Sequence, residues 1–542
     1  MKPHRGTNRI SVGGSGQWAA RRSTVPWVPA QSSSTGPVAI IGVDIGTTST
    51  KAVAWAPDGR ALGSHTAGYP LEEPEAGQAV QDPTKILAAV EEAIAAVATE
   101  AATQAKVVGI SFSAAMHSLI ALDDEGQAIT PVITWADTRA SVQADRLRSG
   151  QGGLELHRRT GTPLHPMSPL PKLVWFREQE PKLFTRARRW VGIKELVLDR
   201  LCGEMAVDHS VAAAMGLLNL DALEWDPEAL SLAGVSPDKL SPLVDTTHVL
   251  HLTKGSAQTL GLPDGLPVVV GSSDGPLANL GVGAVEPGVA ACSIGTSGAL
   301  RVMVEKPSVD PLGRVFCYPL TRDRWVVGGA INNGGVVLAW AGDALAPELG
   351  DEPEEALLAA AAAVPADSGG LLMLPYLLSE RAPHWSSLPL GAYVGLSRGH
   401  HRGHLVRAAL EGVCMQLALV LHSMEAAGNS IREVRATGGF ARSDLWRQLL
   451  ADVFGRSIGF PAGHEGSSFG AALLGMQALG LIDSIDVAVD LVGIEETVRP
   501  DVAAAATYRS LLPVFSSLYD ALVPTFTVLR RLAPILPLEP PR

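Results

Sequence analysis

Asp44 stands directly before Ile45-Gly46-Thr47-Thr48, and the pattern returns in the second half of the chain as Ile294-Gly295-Thr296-Ser297. The first copy lies between the apolar run 38–43 and Thr50-Lys51-Ala52-Val53; the second lies between 289–292 and Ala299-Leu300-Arg301-Val302. Each therefore reads as strand, tight turn, strand. Glycine lets backbone approach a ligand closely, and Thr or Ser adds hydroxyl donors beside backbone N–H groups. Such a turn can wrap a polyphosphate. Two of them predict a duplicated fold that holds one nucleotide between its halves. Asp44, at a strand's carboxyl end, can hold Mg²⁺ against those phosphates or cap its own turn. The hydroxyls of Thr47, Thr48, Ser49 and Thr50 favour the metal reading.

The strand 267–270 runs into Gly271-Ser272-Ser273-Asp274-Gly275. Asp274 there could take the proton of a hydroxyl attacking a γ-phosphate. The same five residues also fit the nucleophile elbow of a serine hydrolase, with Ser273 as nucleophile, though that would leave both Gly-Thr turns unexplained. Met116 and His117 follow one strand, and Trp135, Asp137 and Arg139 follow the next. An aromatic face with charged forks on consecutive strand ends suits a polyhydroxylated ligand. Gly438, Gly439, Phe440 and Ser443 join a strand to the helix 444–454, where they could admit an adenine ring or simply cap the helix. His400, His401 and His404 lack a nearby carboxylate that would complete a zinc site. No Gly-Lys dipeptide exists, so a Walker A loop is excluded.

These residues need rigid supports, and the pattern supplies them. Strands are expected at 38–43, 50–55, 107–112, 131–134, 268–270, 290–293, 325–328 and 431–436. Helices are expected at 83–104, 354–363, 404–428 and 444–454. This is α/β alternation in both halves. The 542 residues suit more than one core. We divide them into a disordered leader (1–37), two domains (38–283 and 284–515) and a tail (516–542). A net charge of −12 disfavours a nucleic-acid or anionic-membrane partner. Four scattered cysteines read as buried hydrophobes of a reducing, cytoplasmic protein. No apolar stretch reads as a membrane span.

Longer stretches carry a resemblance. Met167-Ser168-Pro169-Leu170-Pro171-Lys172-Leu173-Val174-Trp175-Phe176-Arg177-Glu178-Gln179 matches one signature of the FGGY carbohydrate kinases. Gly391-Ala392-Tyr393-Val394-Gly395-Leu396, resumed at His404-Leu405-Val406-Arg407-Ala408-Ala409-Leu410-Glu411, matches the other. The resemblance implies two actin/hexokinase-like (ribonuclease H-like) α/β domains around a cleft, with ATP and Mg²⁺. It makes Asp274 the catalytic base and Asp44 the metal residue. Thr47, Thr48, Ser49, Lys51, Gly295, Thr296, Ser297, Asn332, Asn333, Gly438, Gly439, Phe440 and Ser443 would meet the nucleotide. Met116, His117, Trp135, Asp137, Arg139, His165 and Lys194 would meet the sugar. Within the family, 134–139, 159–169, 192–195 and 379–385 are similar to members that phosphorylate D-gluconate. Ser118, where xylulose kinases usually carry Gly, weakens a pentulose assignment. A gluconate pocket needs a cation for the carboxylate; Arg139, Lys194 and His165 are the candidates. A small sugar acid is the expected partner, and a homodimer is compatible with the sequence.

Overall fold

The computed structural model describes residues 36–350, 353–462 and 466–532. The expected leader (1–37) therefore falls almost wholly outside the described residues, as does the end of the chain beyond Leu532.

The apolar run before the first turn becomes β1 (Val38–Ile45), buried on both faces at the centre of a sheet. The turn folds it back onto β2 (Ser49–Trp55), which pairs with β3 (Ala61–Gly68). β4 (Lys106–Ala114) lies parallel to β1, and two further strands, β5 (Val249–His251) and β6 (Pro267–Ser273), complete the order β5-β6-β4-β1-β2-β3. The second half repeats the plan. β7 (Val289–Ile294), β8 (Gly298–Val304), β9 (Phe316–Thr321), β10 (Arg324–Ile331), β11 (Glu433–Thr437), β12 (Ile458–Pro461) and β13 (Ile494–Val498) are ordered β9-β10-β8-β7-β11-β12-β13. The antiparallel meander β7-β8-β10 matches β1-β2-β3, and parallel β11 and β12 match β4 and β6. Two copies of one topology stand side by side, as in the actin- and hexokinase-like proteins.

Function is built on the crossovers. Between β4 and β6 the first sheet inserts 115–266, which carries every expected sugar residue. Between β10 and β11 the second inserts 332–432, whose longest element is a buried apolar helix, Arg402–Ala426. The lobes meet along α1 (Asp274–Gly281) and α2 (Gly466–Ala478). Gly470 of α2 sits so close to the Leu277 carbonyl that a Cβ would collide with it. α2 comes from the second half of the sequence, yet it also packs on β1 and β4 of the first sheet.

Most expected elements appear with ends shifted by a few residues. The helix expected at 404–428 begins at Arg402 because the His401 ring accepts from the Gly403 N–H at 3.2 Å. The strand expected at 131–134 shrinks to Val132–Ile133, paired with Val80–Gln81 and bridged at Ile133 to Leu119. The tail boundary at 516 is corrected: α3 (Val502–Leu532) runs straight through it, docked by Tyr508, Leu512, Phe515 and Phe526. The membrane reading also needs amendment. By length and composition alone, Arg402–Ala426 and Val502–Leu532 could each cross a bilayer. The former is mostly buried in the second lobe.

Candidate active site

Asp274 is the first residue of α1, where β6 ends, so a strand terminus and a helix start fix its position. Its Oδ1 accepts from the Gly275 N–H at 2.8 Å. Burial raises its pKa, and the guanidinium of Arg301 pulls it back down. Two cavities share this carboxylate.

The first cavity, of about 220 Å³, is lined by Thr47, His117, Trp135, Ser297, Arg301 and Arg381, among others. Thr47 and Ser297 come one from each Gly-Thr turn, so the repeated motif converges on one space. The second, of about 340 Å³, contains Asp44, Lys51, Ser293, Arg301, Thr437 and Ser468. Asp44 and Lys51 face each other across the β1–β2 register. Asp44 also accepts from the Ser113 hydroxyl at 2.6 Å. A carboxylate with hydroxyls around it is a hard-oxygen donor set, which fits Mg²⁺ carried on a polyphosphate. Met116 joins the first cavity. Thr48, Gly295, Thr296, Gly438 and Gly439 are exposed on the turn tips, while Ser49 closes the first turn by accepting from Gly46 N–H at 3.0 Å.

His117 has a left-handed backbone (φ 71°), a conformation that costs a non-glycine residue roughly 1 kcal/mol or more. The strain is held by a hydrogen bond from its Nδ1 to the Ala214 carbonyl at 2.7 Å. Burial, then the charge on Lys172, pushes its pKa down to about 3. The imidazole is therefore neutral, with Nε2 free to accept a hydroxyl proton. Trp135 donates from Nε1 to Thr47 Oγ1 at 2.9 Å, joining the sugar wall to the phosphate turn. Lys172, fully buried, donates to the carbonyls of Thr134 (2.6 Å), Met167 (2.7 Å) and His117 (3.3 Å). It ties the three segments that form the wall. The family signature contains it, but nothing in its local spacing announces that task.

Several sequence expectations require correction. Asp137 is fully buried and grips Arg139 through Nε (2.8 Å) and Nη2 (2.7 Å), so the two neutralise each other outside the cavity lining. Lys194 pairs with Asp208 at 2.6 Å and donates to the Ser272 carbonyl at 3.0 Å. His165 is held neutral by burial, then by Arg381 and Arg148. None of the three expected cations lines the first cavity. The arginines that do line the first cavity are Arg301 on β8 and Arg381 in the segment between the short strands Leu372–Leu374 and Ala392–Val394.

On the nucleotide side, Phe440 is a core residue packed near Trp446 and Phe460. Ser443 caps the helix Asp444–Phe454 by accepting from Trp446 N–H at 3.3 Å. Asn332 and Asn333 both reach Glu380: the Asn332 backbone N–H donates to Oε1 at 2.7 Å and Asn333 Nδ2 to Oε2 at 2.8 Å, while the Asn332 side chain donates to the Ser379 carbonyl. Gly334 and Gly335 donate to the Thr296 and Gly295 carbonyls (3.1 and 2.7 Å), and a Cβ on Gly334 would stand 2.7 Å from the Ser297 backbone. The competing nucleophile is removed: Ser273 is fully buried, its hydroxyl bonded to Ser210 Oγ at 2.6 Å, away from both cavities. The His400–His404 group is occupied with local turns, the His400 ring accepting from Ser397 N–H at 2.9 Å. Ser118, the departure from the xylulose kinase pattern, accepts from Ile193 N–H at 3.0 Å and so caps a helix.

Comparison with known proteins agrees with this geometry. Models of the N-terminal and C-terminal domains of the FGGY family of carbohydrate kinases match residues 39–281 and 290–479. The chain is 42% identical over 497 residues to the gluconokinase of Bacillus subtilis (strain 168), covering 90% of this chain and 97% of that protein. The crystal structure of gluconate kinase from Lactobacillus acidophilus superposes with a TM-score of 0.87 at 35% identity, over 91% of this chain and 100% of the other. A ligand-bound xylulose kinase from the same organism gives 0.86 at 35%, with the same coverage.

Proposed function

Since the chain belongs to the FGGY family of carbohydrate kinases, with ATP as phosphate donor, we propose that its acceptor is D-gluconate and its product 6-phospho-D-gluconate. The observation that carries the reading is Asp274, shared by a cavity suited to a polyol and a cleft suited to phosphates. Its carboxylate takes the proton of the 6-hydroxyl as that oxygen attacks the γ-phosphorus. The bond to the bridging oxygen breaks and the electron pair leaves with ADP. Such a base contributes about 10²- to 10⁴-fold.

The other residues bind and align. Thr47 and Ser297, with the backbone of their turns, hold phosphate oxygens. Asp44 would hold the Mg²⁺ that accompanies ATP, which would screen the phosphate charge. Lys51 and Arg301 balance the negative charge gathering around the γ-phosphate. The Trp135 face covers C–H groups of the acceptor, and His117 Nε2 accepts from one of its hydroxyls. Gly438 and Gly439 leave room for the adenosine, in a cytoplasmic enzyme.

A screen of ADP release over sugars and sugar acids tests this reading. Gluconate should be the preferred acceptor, and preference for D-xylulose would replace it. That second reading has one specific support, the nearly equal similarity to the xylulose kinase structure, with a TM-score of 0.86 against 0.87.

A further inference from the structure

Asp274 follows the last residue of β6, and side chains from the 115–266 insertion hold the end of that strand from beneath. Lys194, in the helix Ile193–Cys202, donates from Nζ to the Ser272 carbonyl at 3.0 Å. The next hydroxyl, that of Ser273, shares a 2.6 Å hydrogen bond with the hydroxyl of Ser210. Both residues that lead into Asp274 are thus tied down.

One carboxylate serves both ties. Asp208 is fully buried, and its Oδ2 pairs with Lys194 Nζ at 2.6 Å. Its Oδ1 caps the helix His209–Ala214, accepting from the Ser210 and Val211 N–H groups at 3.0 and 3.1 Å. That cap sets Ser210, whose hydroxyl meets Ser273. At the far end of the same short helix, the Ala214 carbonyl accepts from His117 Nδ1 at 2.7 Å. Two paths from Asp208 therefore end beside Asp274, and a third ends on the sugar wall.

A buried ion pair adds little to stability by itself, because desolvation offsets its Coulomb attraction and apolar side chains of similar volume often serve as well. What it supplies is direction. The Lys194 ammonium cannot leave its place between Asp208 and the Ser272 carbonyl without stranding a charge in the interior. Neither Asp208 nor Lys194 lines either cavity, so each acts only through what it holds. Resting on Asp274 as the base, we infer that Asp208 is its positioning residue: through Lys194 and Ser210 it fixes the end of β6 and so aims the Asp274 carboxylate at the acceptor hydroxyl.

The test measures kcat, KM for ATP and melting temperature in Asp208→Asn, Lys194→Met, the double variant and Asp274→Asn, with D-gluconate as acceptor, or D-xylulose should the enzyme prefer it. Each single variant at the pair strands one buried charge, so both should melt lower. Their kcat should fall roughly 10- to 100-fold, as a misplacement of up to about 1 Å would cause, with KM for ATP within about twofold. The double variant strands no charge, so its melting temperature should return towards wild type. Ser272 is still unheld there, so kcat should stay low. Recovery of kcat together with melting temperature overturns the inference, by making the pair a stability element alone. Near-normal kcat in both singles overturns it too. Should the singles fail to fold, Ser210→Ala decides, since it removes only the hydroxyl facing Ser273. A fall in kcat of about 2- to 10-fold at unchanged melting temperature supports the inference, and an unchanged kcat overturns it. Near-normal turnover in Asp274→Asn removes the base and this inference together, whereas an inactive Asp274→Asn beside fully active pair variants removes the inference alone.

Discussion

A carboxylate can deprotonate a sugar alcohol only while it is itself ionised, and the surroundings of Asp274 set where that happens. Desolvation raises its pKa, and Arg301 opposes the rise. The acid limb of kcat/KM should therefore lie above the ordinary aspartate value of about 4. Removing the cation leaves desolvation unopposed, so in Arg301→Met the limb should move to higher pH; a pH–rate profile of both proteins reads the shift. Asp274→Asn should keep ATP binding, measured by calorimetry, while turnover falls by about 10²- to 10⁴-fold. Near-normal turnover would remove Asp274 from the chemistry. At this scale Asp274, Trp135 and His117, which line one cavity, could be singled out in the sequence because strand ends and turn glycines flag them. Arg301 was hidden inside an apolar strand, where only the pairing partners decide which way a side chain points.

Single residues matter here because short elements aim them. The segment after β10 shows this best. Gly334 and Gly335 press it against the second phosphate turn, and Asn332, Asn333 and Glu380 clamp the Arg381 loop beside it. Burial raises the Glu380 pKa to about 7. Glu380→Gln should disturb the donor pattern, because its amide would face the Asn333 amide. We expect KM for gluconate to rise about 2- to 10-fold with KM for ATP unchanged. A parallel loss on both would make Glu380 a general fold determinant. α3 is held by a different cluster. Tyr508 donates to Glu411 Oε1 at 2.7 Å and accepts from Arg407 Nη2 at 3.2 Å. Tyr508→Phe should cost about 2 kcal/mol in urea unfolding, the worth of hydrogen bonds to charged groups. Arg407 and Glu411 belong to a signature visible in the sequence, but Tyr508, almost a hundred positions on, does not.

The molecule as a whole works by bringing two copies of one sheet topology to a common cleft. Its seam is the pair α1 and α2, where Gly470 meets the Leu277 carbonyl. Asp274, the proposed base, begins the first of these helices, so a displacement of the seam would move it. Gly470→Ala would overpack it, at about 1–3 kcal/mol, and should lower both thermal stability and kcat. An unchanged melting temperature would mean that the seam can relax. Contacts elsewhere also bind the lobes, including Cys317 N–H to the Gly161 carbonyl at 2.8 Å and Thr246 Oγ1 to the Leu320 carbonyl at 2.6 Å.

The sequence alone determined the duplicated α/β plan and the paired Gly-Thr turns, and pointed to Asp274 as the proposed base, because these are written in local periodicity, in glycine and in strand ends. Tertiary structure decided which charges remain for a ligand. Arg139, Lys194 and His165 stood as the candidate cations in the sequence, but Asp137 pairs with the first, Asp208 with the second, and burial lowers the pKa of the third. Whether a buried cation is spent on its own protein depends on neighbours brought from distant parts of the chain, and spacing along the chain carries no record of them.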